Sequence, residues 1–291
     1  MKNYILEVEG KKVNYYTDGE PEKPLIVCLH GLAGSAAYSF TNLSQQLSKF
    51  FHLLLIDQPG HGKSTSFHRE EDYLFSNLAT WYEKVFTSLI DQPFYLIGHS
   101  WGADVALQYA KSFPGKIKGV ILLDGAYTFP EFQEEMTFST AYYGWESYMA
   151  NAKYNTWEDD LDEYRTYTKR WNQSIEHSVN SIFAKKNQRY ELIASKFTVL
   201  SIIKSFFEEP FSTAYPNIQS PILLLHATEP EELHAAREKG IAQLRKDITN
   251  VTIIPFEEVC HMIQWDQPEK VCAEIVRWIH NNEENLLNLS K

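Results

Sequence analysis

Residues Gly98-His99-Ser100-Trp101-Gly102 set a serine between two glycines in G-x-S-x-G spacing. The apolar run Phe94–Ile97 precedes them, and the helix-like stretch Ala103–Ala110 follows. A strand–turn–helix setting of this kind holds a serine hydroxyl clear of a sheet edge on a strained turn, while the glycines let strand and helix approach closely. Such a hydroxyl becomes a nucleophile once a neighbouring base takes its proton. At ordinary glycine and serine frequencies the bare pattern arises by chance in about one chain of this length in ten, so the context carries the reading. Base and carboxylate must be sought among ten histidines and the acidic residues at the ends of other apolar runs.

The elements that must position these groups alternate between strand-like and helix-like patterns, which predicts an α/β fold with a mostly parallel sheet flanked by helices. Two early strands, around Tyr4–Val8 and Lys12–Tyr16, meet at a turn on Gly10. Leu25–Leu29 ends at His30-Gly31, Phe51–Ile56 at Asp57, and Gly119–Leu123 at Asp124-Gly125; Ile222–Leu225 and Val251–Phe256 complete the set. Continuous apolar runs suit central strands covered on both faces. Leu74–Leu89 and Gln267–Ile279 read as helices between them. Residues 128–218 lack a strand-like apolar run and show helical spacing at Trp157, Leu161 and Tyr164, then Ile175, Val179, Ile182 and Phe183. This predicts a helical insertion, either a lid over a site or a purely structural excursion, within a core of residues 1–127 and 219–291. The polar tail Asn281–Lys291 is expected to fray.

The chain has 291 residues and a formal charge of −11. That charge argues against nucleic acid or an anionic membrane surface as partner. Its longest apolar runs are strand-length, short of the ~18–20 residues of a membrane span. An acidic residue, Glu7, sits where an export signal needs its apolar centre, so a cytoplasmic location is expected. Cys28, Cys260 and Cys272 are odd in number and lack metal-type spacing; Cys28 reads as a small core residue in a reduced compartment. No His/Cys/Asp cluster has ligand spacing, and neither metal nor organic cofactor is expected. The expected partner is a small-molecule acyl substrate, taken by a monomer or homodimer.

In this order the chain resembles the α/β-hydrolase superfamily, in its lidded, serine-nucleophile, esterase/lipase-like branch, over essentially its whole length. Four landmarks carry the resemblance: His30-Gly31-Leu32 after an early strand; Asp57-Gln58-Pro59-Gly60-His61-Gly62-Lys63-Ser64, similar to the D-x-P-G-x-G-x-S loop; the Ser100 turn; and Cys260-His261-Met262 after the last strand, with Pro268-Glu269 opening the final helix. The resemblance implies Ser100 as nucleophile and His261 as base, in the chain order Ser…acid…His. It implies the backbone N–H groups of Leu32 and Trp101 as the oxyanion hole, each worth ~3–4 kcal/mol at the transition state. His99, beside the nucleophile, and His61, in the Asp57–Ser64 loop, are less suited to act as base. Cys260 stands where the family usually has glycine and reads as a filler. Serine rather than aspartate at the turn sets the chain apart from the dehalogenase and epoxide-hydrolase branches.

Two positions compete for the acid. Asp124 ends the strand after the Ser100 turn; its alternative role is to cap a turn beside Gly125. Where the family typically has aspartate after Ile222–Leu225, this chain has Pro230, surrounded by Glu229, Glu231 and Glu232. Thr228-Glu229-Pro230-Glu231 also reads as a capping box with proline in the first turn. The implied activity is hydrolysis of a small or medium carboxylic ester through an acyl-enzyme. Amide, peptide, thioester and carbon–carbon bond hydrolases share the machinery, and a non-catalytic ligand receptor on the same fold is the alternative of another class.

Overall fold

The computed structural model describes residues 1–289. Eight strands form one sheet: β1 (Lys2–Val8), β2 (Lys11–Asp18), β3 (Leu25–Leu29), β4 (His52–Ile56), β5 (Phe94–His99), β6 (Ile117–Leu123), β10 (Ile222–Ala227) and β11 (Val251–Phe256). Their spatial order is β1-β2-β4-β3-β5-β6-β10-β11. β1 pairs antiparallel with β2, and β2 with β4; every pairing from β4 onward is parallel.

The central strands are apolar throughout because helices cover both faces. Val27, Leu29, Leu96, Val120 and Leu224 point to one side, where they meet α2 (Phe75–Leu89) and α3 (Trp101–Ser112) through Leu78, Tyr82, Val85 and Val105. Ile26, Cys28, Ile97, Ile121 and Leu225 alternate to the other side, against α1 (Ala36–Leu47) and α10 (Pro268–Leu289) through Phe40, Leu43, Ile275 and Trp278. Parallel pairing has a chemical consequence. The carboxyl ends of β3, β5, β6, β10 and β11 all lie on one edge of the sheet, so the loops carrying Leu32, Ser100, Asp124, Glu229 and His261 are gathered there.

Between β6 and β10 lie α4 (Phe138–Asn151), α5 (Trp157–Arg165), α6 (Gln173–Asn180) and α7 (Lys196–Glu208). Leu161, Tyr164, Ile175, Val179, Ile182 and Phe183 are buried together there, with Tyr38, Met262 and Trp265 of the core. The insertion is not wholly helical, contrary to expectation. It contains a three-stranded antiparallel sheet of β7 (Lys153–Tyr154), β9 (Arg189–Leu192) and β8 (Phe183–Lys186). These strands are short and mostly polar, so no apolar run announces them. Phe183, which fits the preceding helical phase, instead opens a hairpin whose turn residues Asn187 and Gln188 both have positive φ.

Two further expectations are corrected. The chain beyond Asn281 continues α10 as far as Leu289; Ser290 and Lys291 lie outside the described residues. Thr228 does not cap a helix: its hydroxyl accepts from the Glu258 N–H at 3.0 Å, and the single turn Glu231–Leu233 has no side-chain cap. A capping box forms instead at Thr156 and Asp159, at the start of α5. After β10 come α8 (His234–Asp247) and, before α10, the short α9 (Ile263–Asp266). Among the described residues no helix is long and apolar enough to cross a membrane.

Candidate active site

Ser100 occupies the one-residue turn between β5 and α3 with φ 53° and ψ −126°, a conformation that non-glycine residues rarely adopt. The surrounding packing holds it there. The Ser100 N–H donates to Leu123 O at 3.0 Å, and its carbonyl accepts from the Ala103 N–H at 2.8 Å. A Cβ on Gly98 would stand 2.2 Å from the Gly102 carbonyl oxygen, and one on Gly102 would stand 2.2 Å from Leu29 O. Both glycines are therefore required by close approach, as the pentapeptide suggests.

His261 and Asp124 come together from loops 137 residues apart, with Nδ1 2.7 Å from Asp124 Oδ2. The other carboxylate oxygen, Oδ1, accepts from the Ala227 N–H and from the Tyr127 hydroxyl, each at 2.9 Å. Burial alone would raise the Asp124 carboxyl. The His261 hydrogen bond and charge outweigh it, with help from Ala227 and Tyr127, and hold the group below its ordinary value. An ionised Asp124 accepts the Nδ1 proton of His261, which leaves the Nε2 lone pair available as a base. Ser100, Asp124 and His261 line one cavity of about 290 Å³.

Glu229 lines the same cavity, but its backbone is committed elsewhere. Its N–H donates to Val259 O at 3.0 Å, and its carbonyl accepts from Arg237 Nη2 at 2.5 Å. Arg237 also donates to the carbonyls of Thr228 and Pro230, pinning this loop. Glu231 and Glu232 lie on the single turn that follows Pro230 and are exposed.

Leu32 and Trp101 both line the cavity. Trp101 is the first residue of α3, where N–H groups have no intrahelical acceptor. The Leu32 loop is fixed by a network that sequence reasoning missed. His30 Nε2 accepts from the Gln58 N–H at 2.9 Å, so its Nδ1–H donates to Gly31 O at 2.8 Å. His61 Nε2 accepts from the Ala33 N–H at 3.1 Å, and its Nδ1–H donates to Pro59 O at 3.1 Å. Asp57 Oδ1 accepts from the Ala36 N–H at 2.9 Å. The three contacts between the loops join partners 21 to 28 residues apart, so no local pattern announces them.

These histidines work only when neutral. Burial lowers His30 well below its ordinary value, and lowers His61 to about 4. His99, whose ring lies 4.9 Å from that of His261, is lowered to about 3 by burial and by the His261 charge. Between its ordinary value near 6.5 and about 4, the His61 ring takes up a proton in the unfolded chain but not in the folded one. Stability is therefore expected to fall as pH drops through this window, by about 3 kcal/mol at pH 4 from His61 alone. Urea unfolding at a series of pH values checks this: His61→Gln should flatten the slope, and a stability constant from pH 7 to 4 would contradict it.

A family model described as "alpha/beta hydrolase fold" matches residues 24–268. The chain is 22% identical over 272 residues to (E)-2-((N-methylformamido)methylene)succinate hydrolase of Acinetobacter baylyi, covering 93% of this chain and 95% of that protein. The solved structure of E-2-(acetamidomethylene)succinate hydrolase superposes with a TM-score of 0.77 at 19% identity, over 96% of this chain and 98% of the other. A thioesterase domain from the curacin biosynthetic pathway gives a TM-score of 0.70 at 18% identity, over 95% and 99%. At these identities the structures establish the fold alone. The family match extends from before β3 to the first residue of α10, taking in the Leu32 loop, the Ser100 turn, Asp124 and His261, and with it the chain belongs to the alpha/beta hydrolase fold family.

Proposed function

We propose that the protein is a serine hydrolase that cleaves small or medium carboxylic esters. Ser100 attacks the ester carbonyl while His261 Nε2 takes its proton. The tetrahedral oxyanion is held by the N–H groups of Leu32 and Trp101, and the alcohol leaves with the proton returned by His261. Water activated by the same imidazole then releases the acid from the acyl-enzyme. Asp124 fixes the imidazole tautomer and stabilises its charged form. The observation that carries the reading is the 2.7 Å contact between His261 Nδ1 and Asp124, in a cavity shared with a serine on a positive-φ turn.

The insertion acts as a lid in this reading. Phe129, Trp145, Ile203 and Phe206 from it wall the Ser100 cavity. A second cavity of about 430 Å³ shares the walls Leu32, Phe129 and Trp145 and is lined further on by Tyr38, Tyr148, Tyr164 and Tyr167. Two adjoining chambers suit a substrate with a group on each side of the scissile bond. The test is hydrolysis of p-nitrophenyl esters from acetyl to palmitoyl, alongside labelling by a fluorophosphonate. Turnover with an optimum at short or middle chain length, and label recovered on the Ser100 peptide, supports the proposal. Label on Ser100 without turnover of any ester moves the bond class to amide, thioester or carbon–carbon. Absence of both overturns the enzyme reading.

A further inference from the structure

Asp104 lies on α3, one turn beyond Ser100, and lines the Ser100 cavity together with Tyr127, Phe129, Gln133, Ile203 and Phe206. It is 4% exposed, and its Oδ1 has no hydrogen-bond partner. Asp124, in the same cavity, has every carboxylate oxygen engaged. Buried polar groups are nearly always paired, and an unpaired one facing a binding cavity is a place where a ligand completes the pairing. The pairing expected in a free carboxylate is also missing: no Lys, Arg or His makes an ion pair with Asp104 among the described residues. Burial pushes its carboxyl well above the ordinary carboxylate range, and the charge of nearby Glu131 adds to this against the pull of its own backbone N–H. Burial favours the neutral form, and a neutral carboxyl is a hydrogen-bond donor as well as an acceptor.

We propose that Asp104 is a specificity-determining residue whose buried carboxyl, unpaired at Oδ1, donates a hydrogen bond to a carbonyl or hydroxyl oxygen on the acyl chain of the substrate. Asp104 follows Ser100 by about 6 Å of axial rise on α3 and both line one cavity, which sets the oxygen function a few carbons from the ester carbonyl. The preferred substrate class is thus an ester whose acyl part carries an uncharged oxygen function near that distance, with apolar contacts from Ile203 and Phe206 around it. Plain alkyl chains leave the Asp104 group unpaired. Primary amines meet a carboxyl that must first give up its proton in an apolar surround.

This inference rests on the reading that the cavity holds the acyl part of a substrate, and its test is made independent of turnover. In a Ser100→Ala background, calorimetry compares methyl 5-oxohexanoate, its alkyl isostere methyl 5-methylhexanoate, and methyl 6-aminohexanoate. The keto ester is expected to bind about tenfold more tightly than the isostere. Adding Asp104→Leu should erase that difference, whereas Asp104→Asn, which keeps an N–H donor, should retain most of it. Equal binding of keto and alkyl esters in the Ser100→Ala protein overturns the proposal, as does absence of binding by all three. A preference surviving Asp104→Leu overturns it too. Tightest binding of the amine, lost in Asp104→Asn, would show an ionised carboxylate and also overturns it. Failure of the ester-hydrolase reading appears separately, as absent turnover in the p-nitrophenyl series with the binding preference intact.

Discussion

Ser100→Ala is expected to lower kcat for the best p-nitrophenyl ester by about 10⁶-fold, His261→Ala by a similar factor, and the double variant by no more than either alone. In the proposed mechanism hydroxyl and imidazole act as one unit. Without its base the hydroxyl is a poor nucleophile, and without the hydroxyl the base has no proton to take. The residual rate should still exceed that of water by about 10³–10⁴, because the Leu32 and Trp101 N–H donors and the cavity itself are untouched. KM should change little, since neither side chain is asked to hold the ground state. Single-turnover and steady-state measurements on the three variants decide the point. Losses that multiply in the double variant would mean that Ser100 and His261 act independently, and the proposed mechanism would fall.

How much of this site could be read from the sequence depends on whether each signal is local. Leu25–Leu29 and Val251–Phe256 coincide with β3 and β11, because a continuous apolar run bounded by turn residues carries its own boundaries. The Ser100 turn is equally legible: it needs glycines at fixed offsets for contacts within a few residues or with the adjoining strand. The insertion was less legible. Lys153–Tyr154, Phe183–Lys186 and Arg189–Leu192 pair with one another apart from the main sheet, and only Phe183 and Leu192 among them are buried, so their composition carries little strand signature.

The carboxylate that meets His261 lay furthest from local pattern. Strand order brings the ends of both β6 and β10 to the same edge, so whether a carboxylate after β6 or one after β10 meets His261 depends on contacts between loops more than 100 residues apart. The structure gives the contact to Asp124, and the proline at position 230 then has no carboxylate to supply. Tyr127 and the Ala227 N–H, which hold the far side of Asp124, were invisible for the same reason. So was Asp104, which in sequence looks like an ordinary first-turn acidic residue that favours a helix N-terminus. Only its burial with Oδ1 unpaired sets it apart.

Asp124→Asn is expected to lower kcat about 10⁴-fold with the fold intact, while Glu229→Gln stays within about tenfold of wild type. The carboxylate of Asp124 has acceptors on both sides: Oδ2 toward His261 Nδ1, Oδ1 toward Ala227 and Tyr127. An amide has one N–H₂ and one oxygen, so either orientation places a donor against a donor. With the amide nitrogen toward His261, the ring must carry its proton on Nε2 and can no longer accept one from Ser100. With the nitrogen turned away, it opposes the Ala227 N–H, and the loop that carries the carboxyl is disturbed. Either way the charged imidazole of the transition state loses its counter-charge. Glu229, whose backbone is pinned by Val259 and Arg237 rather than by His261, has no comparable claim. Circular dichroism and urea midpoints separate loss of folding from loss of chemistry. If Asp124→Asn kept wild-type turnover and Glu229→Gln lost it, the acid would belong after β10, and the Asp124–His261 contact would be a structural one that catalysis does not use.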